Sequence, residues 1–81
     1  MKVDVQLFAR ARDLAGAPQV EVDIPDPARV ADLKVALRER FPGLSPLLPN
    51  LLVAVDMEYA NDQTALAETS QIACFPPVSG G

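Results

Sequence analysis

The most openly reactive group that this sequence offers is the carboxylate of its last residue, Gly81. Gly80 before it also lacks a side chain, so this carboxylate would stand on a narrow chain end. Pro76 and Pro77 stiffen the approach, because each proline fixes φ near about −65° and removes a backbone donor. From Pro76 onward the chain can extend about 20 Å. We predict a flexible tail over residues 76–81 whose end enters a pocket on another protein, with a frayed, inert terminus as the alternative.

Composition excludes several other kinds of catalysis. The 81 residues include no histidine and a single cysteine. Ser-His-Asp or Cys-His catalysis and histidine-ligated metal sites therefore cannot be assembled within the chain. A free carboxylate is a poor electrophile and needs activation before a nucleophile attacks it. We expect a partner to supply the catalytic side chains, and we expect this chain to bind no cofactor or metal.

Cys74 is the only thiol, and it could be imagined as a sulfur acceptor. It alternates with Ile72 in a strand-like segment, so both side chains should point inward. Buried cysteine usually behaves as a small hydrophobic residue, whereas reactive cysteines are exposed and activated. The pattern favours a structural role for Cys74.

Charge and length limit the class of protein. Eleven acidic residues against seven basic ones give a net charge of −4, and the basic residues form no stripe, which argues against a nucleic-acid partner. A single cysteine and the lack of a targeting segment or long apolar run indicate a cytoplasmic protein that does not enter membranes. The length predicts one small domain over residues 1–75, for which a core usually supplies about 3–5 kcal/mol of net stability.

The first half of the chain predicts two strands and a helix. Residues 2–9 and 19–24 carry apolar side chains at every second position, as in half-buried strands joined by a short helical turn. Asp26 and Pro27 suit the N-cap and first position of a helix of about four turns. Its apolar stripe consists of Val30, Leu33, Ala36, Leu37 and Phe41. Pro42 and Gly43 should end it.

The second half predicts a loop and three further strands, over residues 51–55, 58–60 and 71–75. Leu66 should plug the core before a turn at residues 68–70. This order of elements matches an α+β fold of the β-grasp type, with a mixed sheet of about five strands and one main helix on one face. The last strand should lie beside the first, and the other face of the sheet should be left uncovered.

Three aromatic residues are candidates for that uncovered face. Phe8 and Phe75 are out of phase with the inward residues of their strands, and Tyr59 lies on the short strand. Scattered exposed aromatics need no explanation singly, which is the alternative. Together on one face they would form a docking patch, because aromatics are enriched at interface cores.

Two stretches resemble a known family. Residues 7–16, Leu-Phe-Ala-Arg-Ala-Arg-Asp-Leu-Ala-Gly, and residues 75–81, Phe-Pro-Pro-Val-Ser-Gly-Gly, resemble the small subunits of molybdopterin synthase, which are ubiquitin-like sulfur carriers. The length and element order also fit. The family often has an Asp-Gly turn where this chain has Glu68-Thr69-Ser70, and Thr at a position with positive φ would be strained, so another turn geometry is expected.

The resemblance implies a function. A ubiquitin-activating-like adenylyltransferase would use ATP to adenylate the C-terminal carboxylate, and a sulfur donor would convert it to a thiocarboxylate. The large subunit, in a heterotetramer, would then receive the tail and pass its sulfur to a cyclic pyranopterin precursor. Carried over to this sequence, Gly81 bears the sulfur and Gly80 allows the tail to thread. Phe8, Tyr59, Phe75, Pro76, Pro77 and Val78 would contact the partners.

Three other functions remain open at this stage. The same tail chemistry could serve thiamine or cysteine biosynthesis. A ubiquitin-like modifier would instead conjugate its carboxylate to lysine side chains. An interaction module would carry an inert tail.

Overall fold

The computed structural model describes residues 1–77. Its strands and helices follow the predicted order with two short additions. They are β1 (Lys2–Leu7), α1 (Ala9–Ala15), β2 (Gln19–Asp23), β3 (Ala28–Arg29), α2 (Val30–Arg40), β4 (Leu52–Val55), β5 (Glu58–Ala60), β6 (Ala65–Leu66) and β7 (Ile72–Phe75). Two 3₁₀ turns, Pro42–Leu44 and Leu48–Asn50, connect α2 to β4.

Five strands form one mixed sheet in the order β2-β1-β7-β4-β5. The central strand β7 runs parallel to β1, with Val5 opposite Ile72, and antiparallel to β4. The outer pairs β1–β2 and β4–β5 are antiparallel. The predicted β-grasp fold, with its last strand beside its first, is therefore confirmed. The separate pair β3–β6 was not predicted, because strands of two residues carry no readable alternation.

The core lies between one face of this sheet and α2. Every second residue of β1 and β2 is buried, as the alternation predicts. Leu33 and Leu37 from α2 pack into the same cluster, and Leu66 plugs it as expected. Leu44 and Leu48, from the two 3₁₀ turns, also belong to this cluster. Apolar burial is the main force that holds these layers together.

Helix α2 begins three residues later than predicted. Asp26 is not its N-cap and Pro27 is not its first residue, because Ala28 and Arg29 pair with β6 before the helix starts at Val30. The Asp32 carboxylate accepts a hydrogen bond from the Arg29 backbone N–H at 2.8 Å. The helix has 11 residues, about three turns instead of four.

Two of the free N–H groups at the start of α2 donate to the turn after β5. Val30 N donates to the Thr64 carbonyl and Ala31 N to the Asp62 carbonyl, both at 3.0 Å. Lys34 Nζ also lies 2.8 Å from Asp62 Oδ1. Backbone carbonyls therefore do the capping that the sequence suggested for Asp26.

The structure also settles the predicted end of β1 and the predicted turn before β7. β1 ends at Leu7, so Phe8 and Ala9 do not belong to the predicted strand, and α1 ends at Gly16 in the left-handed conformation with φ 82°. The turn at residues 67–70 is closed by a hydrogen bond of 3.0 Å that Ser70 N donates to the Ala67 carbonyl. Thr69 is not among the described residues with positive φ, so this turn takes the other geometry that we expected.

Replacing Leu37 by alanine should cost about 2–5 kcal/mol of the free energy of unfolding, because Leu37 is 0% exposed and its removal leaves a cavity. Val35 lies on the same helix but is 45% exposed. Val35→Ala is therefore the matched control and should change stability by less than about 0.5 kcal/mol. Urea unfolding of the two variants checks this. Equal losses in both would contradict the assignment of α2's buried face.

Candidate functional site

The tail leaves from the middle of the sheet. β7 ends at Phe75, and the chain continues into Pro76, which is half-buried, and Pro77, which is exposed. The predicted site residues Val78, Gly80 and Gly81 lie outside the described residues. The boundary between a folded body and a tail at residue 76 is consistent with the end of β7 and otherwise stays a prediction.

Phe8 and Phe75 form a stacked pair beside this exit. Their ring centroids are 4.8 Å apart and the ring planes differ by 9°. Phe75 alternates with the buried Ile72 and Cys74, so the pair lies on the sheet face that α2 does not cover. Phe8 is 41% exposed. The prediction that these two rings share the open face is confirmed in its geometry, whereas their role in docking stays a prediction.

The backbone around Phe8 is held in an uncommon conformation. Phe8 N donates to the Cys74 carbonyl at 3.2 Å, which continues the β1–β7 pairing by one residue. Ala9 then has φ 51°, in the left-handed region, at a cost of about 1–2 kcal/mol for a residue with a side chain. This turn starts α1 directly after Phe8 and leaves the ring on the open face.

Tyr59 lies on the same open face but apart from the stacked pair. It is 76% exposed and stands opposite Ala54 on β4, which separates it from β7. Two apolar residues that the sequence analysis missed lie on this side as well. Leu52 stands opposite Phe75, and Met57 is 91% exposed at the β4–β5 turn.

The missed residues had a partial signal in the sequence. Because β4 is covered on one face only, every second residue of its apolar run must face outward, and Leu52 alternates with the buried Val53. Met57 was not readable, because two-residue hairpin turns with positive φ usually contain glycine or asparagine. Here Asp56 and Met57 have φ 51° and 72°. Asp56 Oδ1 accepts from Gln71 N at 2.9 Å and ties the turn to the start of β7.

An open groove of about 690 Å³ crosses the middle of this face. Its floor is the pair Ala54 and Ala73, which stand opposite each other on β4 and β7. The same register row continues to both edges of the sheet and contains, in spatial order, Gln19, Gln6, Ala73, Ala54 and Tyr59. We call this groove the alanine trough. The open face therefore has an apolar row beside the tail and a depression behind it.

Cys74 is fully buried on the helix-covered face, opposite Val53 and beside Leu7. Burial raises the pKa of its thiol to about 12, and the nearby charge of Lys34 acts in the opposite direction. A thiol without contact to solvent and with this pKa is a poor nucleophile. The geometry agrees with the structural role that alternation favoured.

Residues 1–77 contain no group of three or more His, Cys, Asp or Glu side chains placed to hold a metal ion. Within the same range no helix has the length and apolar character needed to cross a bilayer.

Comparison with known proteins gives a consistent picture. A model described as the ThiS family matches residues 5–81. The chain is 34% identical to the "Molybdopterin synthase sulfur carrier subunit" of Drosophila yakuba, with all of this chain and 92% of that protein covered.

Solved structures show the same fold. The structure of SAMP1 from Haloferax volcanii has a TM-score of 0.86 and 32% identity, with both chains covered completely. A chain in the complex of subunits 1 and 2 of the molybdopterin-converting factor from Helicobacter pylori has a TM-score of 0.69 and 24% identity over the whole of both chains, which supports the fold alone.

The buried thiol gives a prediction that involves pH. In the native protein at pH 8, Cys74 should react with iodoacetamide far more slowly than in the urea-unfolded chain, because it is buried and protonated. Burial raises the pKa of the thiol from 9.0, its ordinary value, to about 12, so the unfolded chain loses this proton at a lower pH than the native protein does. The contribution of Cys74 to stability should therefore be complete below pH 9 and decline up to about pH 12. Mass spectrometry of alkylation and urea unfolding of wild type and Cys74→Ala across this range check both statements. Equal alkylation rates in the native and the unfolded chain would contradict the first statement. A stability difference between wild type and Cys74→Ala that does not change with pH would contradict the second.

Proposed function

The chain belongs to the ThiS family, and on that premise we propose that it is a molybdopterin synthase sulfur-carrier subunit that bears its sulfur as a thiocarboxylate on Gly81. The observation that carries the proposal is the match along the whole chain to curated sulfur-carrier subunits, 30–36% identical to it. The family match also extends to Gly81 itself. The exit of the tail from β7 supports it further, because β1 and β4 hold this central strand from both sides up to Phe75.

The proposed chemistry proceeds in three steps. The Gly81 carboxylate attacks ATP on an activating adenylyltransferase, which gives an acyl-adenylate and releases pyrophosphate. Sulfur at the oxidation level of hydrosulfide then attacks the acyl carbon and displaces AMP, which leaves the thiocarboxylate, since an acyl-adenylate has the good leaving group that a carboxylate lacks. On the large subunit the thiocarboxylate sulfur finally displaces an oxygen substituent from a carbon of the cyclic pyranopterin precursor, so that it bridges the precursor and the acyl group of Gly81. Water then hydrolyses the acyl–sulfur bond, which leaves the sulfur on the precursor and returns the tail as a carboxylate.

The division of work between subunits follows from the residues. This chain contains no histidine and its one thiol is buried, and we propose that the partners supply the groups that move protons. The chain supplies the reacting end and the surface that presents it. We propose that Phe8, Tyr59, Phe75, Pro76, Pro77 and Val78 contact the large subunit, in a heterotetramer like those of the family. Cytoplasmic location is part of the proposal.

A carrier is favoured over a protein modifier. The modifier function is suggested by the likeness to SAMP1, described in a second structure as small archaeal modifier protein 1. Curated relatives that match the whole chain are named as sulfur-carrier subunits, among them those of Caenorhabditis and Arabidopsis. The same relatives favour a molybdopterin synthase carrier over a carrier for thiamine or cysteine synthesis.

Incubation with the activating enzyme, ATP and a sulfur donor should raise the intact mass by about 16 Da, because one carboxyl oxygen is replaced by sulfur at an activated acyl group. A variant that lacks Gly81 should fold normally and show no mass gain. Cys74→Ala is the matched control and should gain the same mass as wild type, since its thiol has no chemical role. Sulfur gain by the truncated chain, or its loss in a folded Cys74→Ala variant, would overturn the assignment.

Truncating the stacked pair should weaken binding to the large subunit. Phe75→Ala, alone or with Phe8→Ala, removes an aromatic anchor, which typically costs about 2 kcal/mol or more, or roughly thirtyfold in affinity. Val35→Ala, an apolar truncation on the helix layer, is the control and should leave affinity unchanged. Calorimetry measures binding and thermal melts of the free variants measure stability. If the melts collapse while the affinity per folded molecule holds, Phe75 serves the fold and not the interface.

A further inference from the structure

The alanine trough adjoins the apolar row beside the tail, which consists of Phe8, Phe75 and Leu52. Phe75 lines both, and Tyr59 and Met57 add apolar surface to the trough. The trough differs from the apolar row because the carboxylates of Asp4 and Glu68 also line it. No lysine or arginine among residues 1–77 lines it. This combination of apolar lining and carboxylates suits a side chain with an apolar stem and a cationic head.

The carboxylates at the rim are available for a cation from outside. Lys2, the nearest base along β1, pairs instead with Glu21 at 3.8 Å, and both side chains are well exposed. Asp56 is tied to the Gln71 backbone and does not compete. Asp4 and Glu68 are exposed, and none of the ion pairs found among the described residues involves them.

The remaining walls select the kind of cation. The two alanine side chains leave room for a long, narrow side chain to lie across β4 and β7. Tyr59 offers a largely exposed ring on one side, and Gln6 offers an amide on the other. A guanidinium is planar, stacks on aromatic faces and donates up to five hydrogen bonds, so it suits this setting better than an ammonium.

We propose that the alanine trough binds an arginine side chain from the protein that takes up the tail. The inference rests on the proposed function for the existence of that protein, whereas the binding of arginine rests on the trough alone. Ala73 precedes Pro76 by three residues, so the arginine would bind about 10 Å along the strand from the tail exit. The apolar row would be one contact with the partner and the arginine a second. Two separate contacts would fix the orientation of the carrier on its partner.

The test uses a single arginine side chain as the probe. N-acetyl-arginine-N-methylamide is titrated into the ¹⁵N-labelled full chain, and amide shifts are followed by NMR. We expect saturable shifts at Ala54, Gln71 and Ala73, with a dissociation constant in the millimolar range that rises with salt. The neutral analogue N-acetyl-citrulline-N-methylamide, which has nearly the same shape, should bind at least fivefold more weakly.

Variants locate the site. Asp4→Asn with Glu68→Gln should weaken the arginine probe at least fivefold. Asp26→Asn with Glu39→Gln changes net charge equally on exposed positions away from the trough and should leave binding unchanged. Ala73→Leu fills the floor and should abolish the shifts while the thermal melt shows a folded protein.

Three results would overturn the proposal. These are shifts without saturation, equal binding of the citrulline analogue, and equal losses in the two charge-matched double variants. The titration needs neither ATP nor the tail chemistry, so it can succeed even if no thiocarboxylate forms. Conversely, a carrier that gains sulfur but ignores arginine would refute the trough and keep the proposed function.

Discussion

The structure depends on the parallel pairing of β1 with β7. Val5, Gln6 and Leu7 lie opposite Ile72, Ala73 and Cys74, which joins the two ends of the chain at the centre of the sheet. A contact between residues so far apart in sequence has a large loop-closure cost, and it persists because it buries the most apolar residues of both strands against α2. The tail is thus attached to the most constrained strand of the sheet.

One-sided cover of the sheet explains the rest of the surface. Because α2 packs on one face only, the alternation that fills the core also sends Phe75, Ala73 and Leu52 to the open side. The same strand β7 therefore supplies a buried thiol on one face and an aromatic ring on the other. A small domain can afford this only if the open face gains a partner, because exposed apolar patches otherwise favour aggregation.

How far the sequence predicted this structure depended on how local each feature is. Alternation in β1, β2 and β7 is local, so their inward residues and the outward placement of Phe8 and Phe75 were predicted correctly. The start of α2 was wrong, since Asp26 and Pro27 are good local signals that yield to the pairing of Ala28 and Arg29 with β6. Tertiary contacts routinely override such signals.

The candidate site divides in the same way. The outward placement of the aromatic pair could be predicted, because Phe8 and Phe75 are each out of phase with the inward residues next to them in sequence. The alanine trough could not, because it exists only where Ala54 and Ala73 meet, and their register is set by strand pairing over 19 positions of sequence. The same applies to Met57, because its turn has positive φ angles without the glycine that usually indicates such a turn in a sequence.

A carrier of this kind separates the reacting atom from everything that controls it. The proposed chemistry needs only a carboxylate, and a carboxylate on a bare glycine has no means of choosing among enzymes. Selectivity among partners would then come from the folded surface. The apolar row and the alanine trough are neighbours on the open face of the sheet, next to the strand from which the tail leaves. Burying Cys74 serves the same end, because a free thiolate near an activated acyl group would compete as a nucleophile. The fold thus removes the chain's own thiol from the reaction, so that the proposed partner supplies the nucleophile that reacts with the activated tail.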